Sequence, residues 1–287
     1  MPIPEGTLPG SQTSGDIAPY RHDFTSMRDT SEPATSLRRT NGSRRAVGPR
    51  LAASILPCLR TSFVSGTGVL LVLFGVPALI VAGLLFLMRD VDPPGSTLIW
   101  SQQFAGAEID QRWVPLPAIS PNLVRAVIAS EDNQFCFHSG VDLKELEAVI
   151  EQAETAGEGV SRGGSTITMQ VAKNLFLWNS RSYVRKAIEI PIAYGIDAMW
   201  PKARVMEVYL NIAEWGPGIF GAEAASQRYF RKSARNLTER EAALLAVALP
   251  NPGLRVPNQP SQRMLRVASV VERRARLVGN RAACALR

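Results

Sequence analysis

Apolar positions along the chain fall into three regimes. Residues 1–50 are rich in Pro, Gly, Ser, Thr and Arg and show no sustained apolar period, so they cannot bury enough surface to offset the entropy of ordering. From Thr61 to Met88 the pattern reverses: 28 consecutive residues carry no charge. A helix needs about 20 such residues to cross a bilayer. The pattern therefore predicts a disordered tail over 1–60 and one transmembrane helix over 61–88. Pro77 is a potential kink of the kind membrane spans tolerate. The roughly 60 residues ahead of the run argue against a cleaved signal peptide.

Beyond Met88 the period becomes helical. Ser120-Pro121 opens a helix, with Pro at its first position and Leu123, Val124, Val127 and Ile128 as its apolar stripe. Asp142 with Glu145 gives a capping-box-like start to DLKELEAVIEQA, and Gly157 to Gly164 reads as a loop. STITMQVAKNLF and SRSYVRKAIEI follow as helices, the second ending or kinking at Pro191. Thr238 with Glu241 caps TEREAALLAVAL, Pro250-Asn251-Pro252-Gly253 stops it, and QRMLRVASVVERRARLV closes as a basic amphipathic helix. The folded part is expected to be mainly α.

Charge adds an orientation. The net charge is +7, and Arg38, Arg39, Arg44, Arg45, Arg50 and Arg60 precede the span with no acid from Arg38 to Arg60. The positive-inside rule places the tail in the cytoplasm and everything after Met88 outside. A basic balance suits phosphate, nucleic acid or an anionic membrane surface; the topology disfavours nucleic acid. Cys58, Cys136 and Cys284 are too few and too scattered for a disulfide framework or a zinc site, and His22 with His138 excludes a multi-histidine metal centre.

Candidate chemistry gathers in three places. Glu131 and Asp132 end an apolar helix, where acids sit badly with the negative pole of its dipole, and Phe135 and His138 follow. Thr166, Gln170 and Lys173, at i, i+4 and i+7, would share one helix face, and the Gly-Gly-Ser entry would leave backbone N–H groups for an anion. Arg181, Arg185 and Glu189 form a second stripe beside Lys186. Each has a plain alternative: a solvated turn, an ordinary amphipathic helix, and an exposed Arg185–Glu189 pair worth about 0.3–0.5 kcal/mol. Together they read as a carboxylate base, a second carboxylate facing it, and a cationic clamp for phosphate or pyrophosphate.

EDNQFCFHSG resembles the first motif (E-D-x-x-F-x-x-H-x-G) of the family 51 glycosyltransferases, the peptidoglycan polymerases. GGSTITMQVAKN resembles their second motif, RKAIE the third, PKARVMEVYLN the fourth, and YFRKSARNLTEREAALLAVALPNP the closing segment. The likeness spans roughly Gly95 to Arg276. NLFLW and NIAEWGPGIFG are most similar to the monofunctional biosynthetic transglycosylases of Gram-negative bacteria. No lysine has Ser three residues before it and no K-T-G occurs, as expected without the transpeptidase domain of the larger relatives.

The resemblance implies a mainly helical, lysozyme-like domain over 95–278, with a smaller, mobile membrane-facing lobe that includes 143–164. It implies an inner-membrane enzyme, its catalytic domain periplasmic, that polymerises lipid II into β-1,4-linked glycan and releases undecaprenyl pyrophosphate. Glu131 matches the base, and Glu189 the second essential carboxylate, near the leaving group or acceptor. Asp132, Phe135 and His138 match residues shaping the site; Thr166 and Gln170 match polar cleft contacts. Lys173 and Arg181 match the pyrophosphate ligands, a clamp that Arg185 and Lys186 extend. Expected partners are lipid II, the growing lipid-linked strand and the membrane, with division or cell-wall synthesis proteins open. No cofactor is obligate, leaving room for a divalent cation at the pyrophosphate.

The chain departs from the pattern at Met169, where the family commonly has Gln, and Cys136 takes no role. Pro191 is expected to disturb the helix that carries Glu189. Two other readings stay open: a glycan-cleaving lysozyme-like enzyme, which has no pyrophosphate to hold, and an inactive scaffold that binds lipid-linked precursor.

Overall fold

The computed structural model describes residues 68–156, 164–178, 180 and 182–286. The expected tail (1–60), the start of the expected span (61–67), Arg181 and most of the Gly157–Gly164 loop lie outside the described residues.

Helix α1, Gly68–Met88, has 21 residues. At 1.5 Å per residue it is about 31 Å long, close to the roughly 30 Å hydrocarbon thickness of a bilayer. Its apolar side chains, Leu71, Phe74, Leu79 and Phe86 among them, are exposed, and Leu85 alone in its Val76–Met88 part is buried. The helix continues through Pro77: without its N–H no bond can return to the Leu73 carbonyl, and Leu71–Gly75 widens into a π-helical turn.

The lower end of α1 is tied to the domain. Trp200 Nε1 donates to the Leu85 carbonyl at 2.7 Å. Arg204 donates to the Met88 carbonyl at 3.2 and 3.1 Å and to the Val91 carbonyl at 2.8 Å. A guanidinium thus satisfies carbonyls that the helix end leaves open and complements its negative pole.

The domain is mainly helical, as expected. After α2 (Thr97–Phe104) come α3 (Pro121–Glu131), α4 (Leu143–Ala156), α5 (Ile167–Phe176), α6 (Tyr183–Met199) and α7 (Lys202–Ile212); α8 (Ala222–Phe230), α9 (Glu239–Ala248) and α10 (Gln262–Leu277) follow. Ser120 caps α3, Asp142 accepts the Glu145 N–H, and Thr238 with Glu241 forms a complete capping box, all where the sequence places them.

Leu123, Val124, Val127 and Ile128 of α3 lie in the core with Ile167 and Val171 of α5 and Val205, Leu210 and Ile212 of α7. The four alanines of α9 are fully buried, and their small side chains let α3 and α10 pack close against it. α6 continues through Pro191 to Met199 instead of ending there. Pro191 and Ala187, whose carbonyl loses its i+4 donor, both stand on the exposed side of the helix, where that carbonyl is not stranded in the core.

Two features have no counterpart in the sequence reading. A small sheet runs in the order β1 (Asp110–Gln111), β3 (Ile219–Phe220), β2 (Glu214–Gly216), with β1 parallel and β2 antiparallel to β3. Gly218 turns between β2 and β3 at φ +71°, where a Cβ would stand 2.3 Å from the Glu108 carbonyl.

The second feature corrects the cysteine reading. Cys136 and Cys284 form a disulfide across 148 residues. A 3₁₀ segment, Gly279–Ala285, returns against α3 and α7 and brings Cys284 to the loop after α3. Closing so long a loop restricts the unfolded chain, an effect typically worth about 2–4 kcal/mol.

Candidate active site

Glu131 is the last residue of α3 and Asp132 caps its C-terminus. Their unfavourable place on the helix dipole is offset by specific partners. Gln170 Nε2 on α5 donates to Glu131 Oε2 at 3.2 Å, and the Tyr209 hydroxyl on α7 donates to Gln170 Oε1 at 3.1 Å. Ser130 Oγ adds a contact at 3.4 Å to Glu131 Oε1. Burial raises the Glu131 carboxyl above its ordinary value, against the Gln170 and Ser130 hydrogen bonds and the Arg255 charge. Burial also pushes the Tyr209 hydroxyl well above 10, so it stays protonated and donates.

The next residues weave motif one to the start of α5. Asp132 is buried; His138 Nε2 lies 2.9 and 3.0 Å from its two oxygens, and the Ile167 N–H donates to Oδ2 at 3.0 Å. Thr166 donates to the Gly140 carbonyl at 2.6 Å and caps α5 by accepting the Met169 N–H at 3.1 Å. Two expectations change here. Thr166 is a buried N-cap and not part of a helical face with Gln170 and Lys173, because its extended backbone (φ −74°, ψ 164°) puts it outside the helix. The anion at the α5 N-terminus is the protein's own Asp132.

Gly140, at φ +84°, has no room for a side chain: a Cβ would lie 2.5 Å from the Ala193 carbonyl of α6. Phe135 is fully buried, with Lys202 Nζ 4.7 Å above its ring. The same ammonium donates to the His138 carbonyl at 2.8 Å and pairs with Asp197 at 2.6 Å. Motif one is thus held from α5, α6 and α7 together.

The cations gather on α5 and α6. Lys173 lies within electrostatic reach of both Arg185 and Glu131; burial, then Arg185, holds it below its ordinary value. Burial, helped by Arg185 and Lys173, pushes Lys186 down to about 8. Arg185 Nη1 and Lys186 Nζ both pair with Glu189, the latter at 3.6 Å, and Lys186 also donates to Ser165 Oγ at 3.2 Å. Glu189 is only 1% exposed, so the plain alternative of a solvated surface pair does not hold. Its described partners are Arg185 and Lys186, and α6 starts at Tyr183, which leaves Arg185 and Glu189 as the stripe within the helix. Met169, the departure from the family pattern, is buried with its sulfur 4.0 Å from Lys186 Nζ.

Sequence reasoning passed over Tyr209 and Arg255 and took motif four as a unit. That motif is a scaffold: Arg204 caps α1, Glu207 accepts the Leu116 N–H at 2.7 Å, and the buried Asn211 bonds both the N–H and the carbonyl of Val114. Polar side chains at i, i+3 and i+7 of this helix were the available signal. Among the described residues no cluster of three or more His, Cys, Asp or Glu is placed to hold a metal ion.

Residues 99–278 match the family described as Transglycosylase. A biosynthetic peptidoglycan transglycosylase of Agrobacterium fabrum is 51% identical over 193 residues, 67% of this chain and 84% of that protein. One of Brucella suis is 51% identical over 191 residues, 67% of this chain and 84% of that protein. One of Rhodospirillum centenum is 50% identical over 208 residues, 72% of this chain and 89% of that protein.

Proposed function

The chain belongs to the transglycosylase family and is a peptidoglycan transglycosylase, and we propose that it polymerises lipid II with Glu131 as its general base. The observation that carries this reading is the pairing of a half-buried carboxylate of raised pKa, aimed by Gln170 and Tyr209, with a partly dehydrated cation cluster on α5 and α6.

In the proposed reaction Glu131 takes the proton from the 4-hydroxyl of the acceptor N-acetylglucosamine. That oxygen attacks C1 of the donor N-acetylmuramic acid from the face opposite the lipid. The C1–O bond to pyrophosphate breaks with its electron pair, and inversion gives the β-1,4 bond. Base catalysis of this kind contributes typically 10²–10⁴-fold. Lys173, Arg181, Arg185 and Lys186 take up the charge on the departing pyrophosphate, more in the transition state than before it. Glu189 keeps Arg185 and Lys186 in place. Asp132, Phe135, His138 and Thr166 shape the loop that presents Glu131. A divalent cation, where present, would share the pyrophosphate oxygens.

The apolar α1 fits a single-pass anchor that keeps the enzyme at the surface where its lipid-linked substrate resides. A cytoplasmic tail and periplasmic catalytic domain are supported by the arginines before the span and by the disulfide, which forms in oxidising compartments.

Two tests arise directly. Glu131 must be deprotonated, so kcat/KM falls as pH drops through a value above 4.5. Lys186 must be protonated, so kcat/KM falls again as pH rises through about 8. Bound pyrophosphate favours charged lysine, which moves the alkaline limb of kcat to higher pH than that of kcat/KM. Lys186→Arg should remove that limb near pH 8; an unshifted alkaline limb would take Lys186 out of the clamp. Tyr209→Phe leaves the Gln170 carbonyl without its donor and lets the amide swing away from Glu131. We expect kcat to fall about tenfold with little change in KM, measured as initial polymerisation rate against lipid II concentration; a rise in KM alone would contradict the relay.

A further inference from the structure

We infer that the Cys136–Cys284 disulfide and the C-terminal 3₁₀ segment form a covalent brace that positions the Glu131 loop for catalysis. This rests on the reading of Glu131 as the base. Residues 132–140 are the least regular part of the site, a string of turns and bends between α3 and α4. They begin with Asp132 directly after Glu131, two carboxylates at the negative end of a helix, an arrangement that frays unless other contacts over-determine it.

On one side those contacts come from α5, through Gln170, the Ile167 N–H and Thr166. On the other side stands the C-terminal segment. Cys284 bonds Cys136, which follows the buried Phe135, and Arg281 Nη1 donates to Asn133 Oδ1 at 3.4 Å. Ala282 and Ala285 are fully buried, so the segment is seated in the domain and transmits its hold to the core. It lies beyond residue 278, where the family match ends. Cys284 and its segment therefore lie outside the matched transglycosylase region and reach back to Cys136 inside it.

The bond forms by thiol–disulfide exchange with a disulfide oxidase of the extracytoplasmic compartment. The thiolate of one cysteine attacks the oxidase disulfide, and the second thiolate then displaces the oxidase from the mixed disulfide. The oxidase leaves as its dithiol, having accepted two electrons, and the two cysteines lose two protons. In the cytoplasm thiols stay reduced, so the loop gains its full rigidity only after the domain has been exported.

The test compares full-length wild type, wild type reduced with dithiothreitol, and the Cys136→Ser/Cys284→Ser double variant, all in detergent. Maleimide labelling under denaturing, non-reducing conditions should mark Cys58 alone in the wild type; three reactive thiols would overturn the inference at once. Hydrogen exchange should be faster by about tenfold at residues 133–138 in both unbraced forms, while the α9 core stays protected. The rate with lipid II should show kcat lower by about three- to tenfold and KM within about twofold. Reoxidising the reduced wild type with oxidised glutathione should restore its rate, and the same treatment should leave the double variant unchanged. Exchange and kcat both equal to the braced enzyme, or faster exchange with an unchanged kcat, would overturn the positioning role. A Glu131→Gln enzyme that still polymerises would remove Glu131 as the base, yet leave the labelling and exchange results as stated. The two failures are thereby told apart.

Discussion

Glu131→Gln is expected to lower kcat by about 10²–10⁴-fold while binding of lipid II stays within about threefold. The amide has nearly the volume and shape of the carboxylate, so the fold has no reason to change. It can still meet the Gln170 amide through its own oxygen, so the Tyr209–Gln170 pair remains in place. What it loses is the lone pair that takes the proton. Losing the base is the larger effect; losing the Ser130 and Gln170 contacts to charge is the smaller, because hydrogen bonds to charged groups are worth only about 1.5–3 kcal/mol. Burial, with a smaller push from the Asp132 charge, raises the carboxyl of Glu131, which makes it a stronger base at neutral pH than a surface glutamate. A variant whose kcat stayed within tenfold of wild type would show that another group takes the proton.

Glu189→Ala should have the second largest effect, and on stability as well as rate. Glu189 is 1% exposed and sits against both Arg185 and Lys186. Removing one partner of a buried pair costs about 3–5 kcal/mol, because the charge left behind keeps its desolvation without its counter-ion. Here the remaining cations reach some solvent, with side-chain exposures of 13% and 29%, so the expected loss is near the lower end, about 3 kcal/mol. It should appear as a lower midpoint in urea with an unchanged m-value. Rate should fall too, since Arg185 and Lys186 would move apart under their mutual repulsion. Glu189→Gln, which keeps the volume and one acceptor, should recover part of the stability and little of the rate. A Glu189→Ala protein as stable as wild type would mean that Arg185 and Lys186 find solvent freely and that the pair is a surface one.

Much of this site can be read along the chain, because its parts lie on helices whose caps and apolar periods are local. Ser120, Asp142 and Thr238 start their helices where the residue types say they should. The stripe that carries Val127 and Ile128 into the core also sets Glu131 at the helix end. What escapes is what depends on long separations. The Cys136–Cys284 bond spans 148 residues, and no local pattern announces it. Tyr209 sits in an apolar helix and reads as packing until α5 is laid beside α7. Thr166 shares a helical spacing with Gln170 and Lys173, but its extended backbone turns it into a cap, which spacing cannot reveal. Strands of two or three residues fall below the length at which alternation can be recognised. Pro191 marks the opposite case: a strong local signal for a break, overridden because the orphaned carbonyl lies on the exposed side of α6.

On the proposed reading, the groups that α3, α5 and α6 bring together join two lipid-linked disaccharides, with Glu131 as base. The most direct measurement incubates the detergent-solubilised full-length protein with labelled lipid II and resolves the products by gel, beside Glu131→Gln. The expected result is a ladder of lengthening lipid-linked glycans, with undecaprenyl pyrophosphate released in step, from the wild type alone. Bound lipid II without elongation under varied detergent and divalent ion, or shortening of a pre-formed glycan, would contradict it.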